Sequence, residues 1–324
     1  MRALVPDSRT GRVWTIVAVA ALALSIQQLF TGPSVGHFRS AEAMSTYQHA
    51  YDRAMQEMPE AQETLDIRTS YGIVRVYRFE GENDDATPLV LLPGTQSGTP
   101  VWADNLPDLL KHRSVYALDL LGEPGMSVQS RPITDSSDKA AWLGEVLESL
   151  REPEFHVVGL SIGGWTAANL ALHDSNRIAS LILVEPVMVF TGLSGGAIMR
   201  SIPASVHWFP KSWRDSFSSW TAGGAPVEDV PVAEMIEAGM QSYAMAQPGP
   251  SQITAEELSE LNVPSLVIIA GDSPMHDPEK LRDGTQNLPE AKVLTYSGAS
   301  HALNGEEPTR LARDIGSFID EVEQ

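Results

Sequence analysis

From residue 88 onward the chain alternates short, continuously apolar runs with helical segments, and this alternation strongly limits the folds it can adopt. Runs such as 88–92 and Ile178–Val184 have no polar face, as expected of strands buried on both faces of a parallel sheet. Helices are expected between them, one over roughly 136–151 and a final one over roughly 308–322. The pattern predicts an α/β fold with a doubly wound, mostly parallel sheet.

One long segment, residues 188–261, interrupts this alternation between two predicted strands. Three of the seven tryptophans fall in it, within thirteen residues of one another. We expect a helical lid inserted into a core built from residues 41–187 and 262–324, although a helical subdomain with its own small core would give the same pattern. The side chains expected to line a substrate pocket are those of Trp208, Phe209, Trp213 and Phe217.

The first forty residues are expected to form a signal or membrane anchor and a linker. Three arginines precede an apolar run at 13–26, which extends to Phe30. A basic flank before such a run is typical of an export signal, and its length approaches the roughly 20 residues of a membrane-spanning helix. We expect either a cleaved signal or an uncleaved tether through residues 13–30, with a buried N-terminal helix as the alternative. The domain that follows would then lie outside the cytoplasm.

Composition excludes several classes of site. The chain has 324 residues, a formal net charge of −20 and no cysteine. Disulfides, thiolate metal ligands and a cysteine nucleophile are therefore excluded. The acidic balance argues against nucleic acid and anionic membrane surfaces as partners. The sequence contains no HExxH motif and no cluster of histidines, so we expect neither a metal nor a cofactor.

The pentapeptide Gly159-Leu160-Ser161-Ile162-Gly163 is the strongest local motif. It lies between an apolar run and a helix of small residues, which is the strand–turn–helix context in which a G-x-S-x-G serine acts as a nucleophile. Glycine on either side permits the sharp turn because it has no Cβ to clash. The alternative is a serine that caps the helix in an ordinary tight turn. The motif predicts Ser161 as a nucleophile.

A serine hydroxyl needs a base within hydrogen-bond reach. Of the eight histidines, His301 is the best candidate because it follows the last predicted strand, at the sheet edge where ligands bind in open α/β sheets. Two backbone amides should hold the developing oxyanion. We expect them to be those of Ile162, after the nucleophile, and Thr95, after an earlier strand, with Gln96 as the substitute for Thr95.

The carboxylate that orients the histidine could come from either of two positions in the sequence. Asp272 and Asp277 lie in the loop after the strand near 263–270, although both suit turn and helix-cap positions. Glu185 ends the preceding apolar strand, where an acidic residue without a role is unfavourable.

These segments together resemble the α/β-hydrolases of the esterase/lipase and cofactor-free haloperoxidase-like group. The resemblance covers about residues 65–322 and includes Leu92-Pro93-Gly94, the segment from Asp119 to Ser127, the Ser161 pentapeptide and Gly298-Ala299-Ser300-His301. The chain departs from the family in three places: Pro93 replaces a histidine, Glu123 and Pro124 are additional, and Ser273-Pro274 stands where the acid is expected. Some relatives with that last feature carry the acid on the preceding strand, so the resemblance favours Glu185 over Asp272 and Asp277.

The resemblance implies a serine carboxylesterase that acts on a small to medium hydrophobic ester through a Ser–His–acid mechanism. Two alternatives use the same fold. One is a binding or signalling module with little hydrolytic activity, and the other is a different reaction, such as C–C bond hydrolysis or perhydrolysis. The sequence does not predict the oligomeric state.

Overall fold

The computed structural model describes residues 34–227 and 229–324. The predicted signal or tether at residues 13–30 lies outside the described residues and stays a prediction. Within the described ranges, every helix is too short or too polar to cross a membrane.

A nine-stranded mixed sheet forms the centre of the fold. Its strands in chain order are β1 (Glu63–Thr69), β2 (Gly72–Phe79), β3 (Leu89–Leu92), β4 (Val115–Leu118), β5 (Val128–Gln129), β6 (Phe155–Leu160), β7 (Ile178–Val184), β8 (Ser265–Ala270) and β9 (Ala291–Tyr296). Neighbouring strands follow the order β9-β8-β7-β6-β3-β4-β2-β1, with β5 beside β2. The six strands from β9 to β4 run parallel, and β1, β2 and β5 add antiparallel pairs. The predicted fold class is confirmed.

Eleven helices are assigned within the described ranges. They are α1 (Ala41–Met55), α2 (Leu106–Leu109), α3 (Ser136–Ser149), α4 (Ile162–His173), α5 (Gly195–Ala204), α6 (Lys211–Thr221), α7 (Pro231–Ser242), α8 (Ala255–Glu260), α9 (Pro278–Thr285), α10 (Leu303–Glu306) and α11 (Pro308–Val322). A 3₁₀ turn covers Thr99–Trp102.

The sheet has a hydrophobic core on each face, which explains why its strands lack polar positions. Successive side chains of a strand point to opposite faces. Val157 of β6 therefore belongs to the core that contains Trp142 of α3 and Trp165 of α4, whereas Val158 belongs to the core that contains Tyr47 of α1 and Phe318 of α11. Because the six central strands run parallel, their carboxyl ends lie at one edge of the sheet.

The inserted segment between β7 and β8 contains α5 to α8 and is joined to the start of the described chain. Tyr243–Ala244 pairs antiparallel with His37–Phe38. Glu234 of α7 forms an ion pair with Arg53 of α1. Met235 of α7 is buried in the core that contains Tyr47. Part of the inserted segment is thus stabilised by α1. Its action as a lid stays a prediction.

Candidate active site

Ser161 lies in a strained turn between the end of β6 and the start of α4. Its φ angle is 54°, in the left-handed region that non-glycine residues seldom adopt. The turn is tight because a Cβ on Gly159 would lie 2.3 Å from the carbonyl oxygen of Gly163, and one on Gly163 would lie 2.3 Å from that of Leu92. The backbone amide of Ser161 donates to the carbonyl of Val184, 3.0 Å away on β7. Such strain is typical of the nucleophile turn in serine hydrolases.

His301 lies beside this serine, in the loop that follows β9. Its Nε2 is 2.9 Å from Oγ of Ser161. The loop is held on two sides. The His301 amide donates to the carbonyl of Thr221 at the end of α6, 3.2 Å away, and the Ser300 amide donates to a carboxylate oxygen of Glu306 at 2.7 Å. These contacts fix the backbone from which the imidazole projects toward the serine.

Glu185 directly follows β7 and is completely buried. Its φ angle of 48° is also in the left-handed region. Its Oε1 lies 3.4 Å from Nδ1 of His301, and its Oε2 accepts a hydrogen bond from the Ala270 amide at 2.8 Å. One oxygen is therefore held by backbone at the end of β8, while the other faces the imidazole. The structure brings together Ser161, His301 and Glu185.

A second histidine, which sequence reasoning had not singled out, shares the Glu185 carboxylate. Nε2 of His276 lies 2.9 Å from Oε1 of Glu185, and both side chains are almost fully buried. This contact is close but does not meet the geometric limits of a hydrogen bond. Its position in the loop after β8, at the same sheet edge, was the available signal.

The two aspartates considered as alternatives have other contacts. Oδ1 of Asp277 accepts the amides of Glu279 and Lys280, at 3.0 and 3.4 Å, and so caps α9. The backbone amide of Asp272 donates to the carbonyl of Ala299 at 3.0 Å. Within the described chain, neither carboxylate contacts His301.

The two expected oxyanion donors differ from the substitute, Gln96. Ile162 is the first residue of α4, where amides have no partner within the helix. Across the described residues, the amides of Ile162 and Thr95 have no hydrogen-bond acceptor. The Gln96 amide, in contrast, donates to Oε2 of Glu123 at 3.0 Å. A Cβ placed on Gly94 would lie 3.8 Å from Cβ of Ser161, so this turn borders the nucleophile.

Three of the four predicted pocket aromatics, Trp208, Phe209 and Trp213, form a cluster near the surface. Phe209 makes edge-to-face contacts with Trp208 and Trp213, at ring-centroid distances of 4.4 and 4.7 Å. Trp208 is 72% exposed and Trp213 is 48% exposed. Phe217 stacks on Trp220. Their role in a pocket stays a prediction.

The inserted segment borders the candidate site at two points. At one, the end of α6 accepts the His301 amide through the Thr221 carbonyl. At the other, Gly239 of α7 approaches the Gln96 carbonyl, since a Cβ there would lie 3.3 Å from that oxygen.

The ionisation of Glu185 predicts a pH dependence of stability. Burial raises the pKa of this carboxyl, but the neighbouring rings of His276 and His301 outweigh burial and lower the pKa from 4.5 to about 2. A lowered folded-state pKa contributes stability that is fully present above pH 4.5 and is lost as the pH falls toward 2. The contribution is about 3 kcal/mol, at about 1.4 kcal/mol per pKa unit.

We therefore expect the difference in unfolding free energy between the wild type and Glu185→Gln to shrink by about 3 kcal/mol between pH 5 and pH 2. Urea unfolding over this pH range measures it. Ser161→Ala, which keeps the carboxylate, should lose stability in parallel with the wild type. A difference that stays constant with pH would contradict the assigned ionisation.

Comparisons with known proteins agree with this architecture. The sequence model of the Alpha/beta hydrolase family matches residues 89–314. The carboxylesterase nap of Bacillus subtilis (strain 168) is 24% identical, and the match covers 84% of this chain and 92% of nap. Carboxylesterase YbfK of the same organism is 22% identical, over 87% of this chain and 96% of YbfK.

A solved structure has a similar fold. The crystal structure of naproxen esterase from Bacillus subtilis superposes with a TM-score of 0.79 at 22% identity, covering 87% of this chain and 99% of the esterase. The family match covers more than half of the chain, and the sheet order and strained serine turn agree with it. The chain therefore belongs to the alpha/beta hydrolase family.

Proposed function

We propose that the protein is a serine carboxylesterase that cleaves small to medium hydrophobic esters through an acyl-enzyme. The observation that carries the proposal is the 2.9 Å contact between Ser161 Oγ and His301 Nε2, with the other ring nitrogen facing buried Glu185. This is the arrangement that activates a serine hydroxyl.

In the first half of the reaction, Ser161 Oγ attacks the acyl carbon of the ester while His301 Nε2 takes the hydroxyl proton. The negative charge on the carbonyl oxygen is stabilised by the amides of Ile162 and Thr95. The positive end of the α4 helix dipole also favours this charge. The tetrahedral intermediate collapses, and the leaving alkoxide receives the proton from His301.

In the second half, water attacks the acyl-enzyme and His301 accepts its proton. The proton then returns to Ser161 Oγ as the carboxylic acid leaves. Throughout, ionised Glu185 holds the proton on Nδ1, so that Nε2 is free to accept. The low pKa of Glu185, about 2, keeps it ionised over the pH range in which esterases are assayed.

A hydrophobic substrate is supported by the inserted segment. It carries most of the large apolar side chains that are exposed in the described residues, among them Met199, Trp208 and Trp213. The segment borders both the His301 loop and the Gln96 turn, as expected of a lid. The matched Bacillus subtilis proteins are named as carboxylesterases, which supports an ester as the substrate.

A series of p-nitrophenyl esters tests the proposal. Burying one CH₂ group contributes about 0.8 kcal/mol, and the butyrate has two more than the acetate, so kcat/KM should rise by up to roughly 15-fold from the acetate to the butyrate. We expect it to fall again for the palmitate, whose chain exceeds a medium-sized pocket. Initial rates of p-nitrophenolate release measure the series.

Heat-inactivated protein and p-nitrobutyranilide, the amide analogue of the butyrate, serve as controls. Ester rates no higher than those of heat-inactivated protein would refute the esterase proposal. A preference for the acetate over the butyrate would refute its hydrophobic part.

A further inference from the structure

Glu123 is a buried carboxylate to which the mechanism above gives no role. It is only 4% exposed and lies in the turn that follows β4. Its Oε2 accepts hydrogen bonds from the Gln96 amide at 3.0 Å and the Thr95 hydroxyl at 3.1 Å, while Oε1 accepts from the Gln247 side chain at 3.3 Å. A carboxylate is buried at this cost only when such partners compensate it.

The partners of Glu123 Oε2, Thr95 and Gln96, form the turn that carries a proposed oxyanion donor. Gln96 has a φ angle of 56°, a strained value that needs support from its surroundings. Glu123 supplies that support by binding the Gln96 amide. The neighbouring Thr95 amide has no acceptor in the described chain and is therefore available to an oxyanion.

The partner of Glu123 Oε1, Gln247, belongs to the inserted segment. Gln247 follows α7, and Gly239 within α7 approaches Pro124, the residue after Glu123. Lys139 lies behind this junction, with its ammonium donating to the Pro248 carbonyl at 2.8 Å. Burial raises the pKa of Glu123, and the charge of Lys139 opposes that rise.

We propose that Glu123 is a positioning residue that holds the Thr95–Gln96 turn so that the Thr95 amide meets the oxyanion, and that Gln247 of the inserted segment anchors it. The role rests on the proposed esterase function. Glu123 does not touch the substrate. It acts through the backbone of the turn, so its loss should weaken binding of the transition state more than binding of the ester.

Glu123→Met removes both acceptor oxygens while it keeps most of the length of the side chain, so the Gln96 amide and the Thr95 hydroxyl lose their acceptor. Loss of one oxyanion donor lowers kcat by about 10²–10³-fold elsewhere, and a misplaced donor should cost roughly 10- to 100-fold. On p-nitrophenyl butyrate we expect kcat to fall by this factor, with KM within about threefold. The Ki of 1-butaneboronic acid, which forms a tetrahedral anion on the serine, should rise by the factor by which kcat/KM falls.

Two further variants sharpen the test. Gln247→Ala removes only the anchor and should give a smaller fall in kcat in the same direction. Glu256→Gln alters an exposed carboxylate of α8, in the same inserted segment, so it should leave kcat unchanged.

Unchanged kcat and Ki in Glu123→Met would overturn the inference, as would a fall in thermal stability with no change in either constant. If Glu123→Met does not fold, Gln247→Ala decides, and an unchanged kcat there overturns the inference. Absence of Ser161-dependent turnover in the wild type would instead refute the esterase function, and this role with it.

Discussion

Replacing Ser161 with alanine is expected to lower kcat for p-nitrophenyl butyrate by about 10⁴–10⁶-fold, because it removes the nucleophile and leaves His301 no hydroxyl to deprotonate. The residual rate would come from substrate binding and the oxyanion amides. The fold should remain intact, since among the described residues the Ser161 side chain hydrogen-bonds only to His301. Steady-state rates and a thermal unfolding curve measure both effects.

Ser180→Ala is a matched control. Ser180 is also buried, and its Oγ lies 2.8 Å from Nδ1 of His156, so it is a second serine–histidine contact within the same sheet. It belongs to β7, away from the loop of His301. We expect kcat within about twofold of the wild type, the range of an ordinary buried hydroxyl without a catalytic role. Ester hydrolysis that survives in Ser161→Ala would refute the assignment of the nucleophile.

Glu185→Gln is expected to lower kcat by about 10³–10⁴-fold, as does the loss of the triad carboxylate in other serine hydrolases. The Ala270 amide should hold the amide oxygen of the new side chain, because it now donates to Oε2 at 2.8 Å. The NH₂ group would then face His301 Nδ1 and donate to it. The ring would adopt the tautomer with the proton on Nε2, which cannot accept the proton of Ser161.

The two aspartates provide the comparison. Asp277→Asn should change kcat little, since Asp277 caps α9 and asparagine caps helices nearly as well. Asp272→Asn should also change it little, because its carboxylate does not contact His301 within the described residues. If Asp272→Asn greatly lowered kcat while Glu185→Gln changed it little, the choice of Glu185 as the triad carboxylate would be contradicted.

The sheet was largely predictable because the local sequence of each strand identifies it. Buried parallel strands are continuous apolar runs, and Ile178–Val184 has the predicted bounds in the structure. The order of the strands was less accessible. β3 pairs with β6, about sixty residues later, through contacts that no local pattern encodes.

The sequence limited the triad carboxylate to a few candidates but could not select one of them. Glu185 and Asp272 each follow a strand of the parallel sheet, at the same edge, and β7 and β8 are neighbours. The distinction depends on the direction of a side chain and on the 2.8 Å contact between Glu185 and the Ala270 amide. Neither is readable from residue type or spacing.

The contacts of Glu123 and His276 could not be predicted from the sequence for a related reason. Glu123 stood out only as an additional residue in its motif, and its partners Gln96 and Gln247 are 27 and 124 positions away. His276 lies in the loop after β8 and contacts Glu185, which follows the neighbouring strand β7. Long-range contacts of this kind become visible only once the chain is folded.

Reaction with a fluorophosphonate, followed by peptide mass spectrometry, tests the central claim most directly. The probe forms a stable bond only with a serine whose hydroxyl is activated by a nearby base. We predict a single adduct on the peptide that contains Ser161, formed in step with the loss of ester hydrolysis and absent from Ser161→Ala. Complete modification of another residue, or full ester hydrolysis with Ser161 unmodified, would contradict the account.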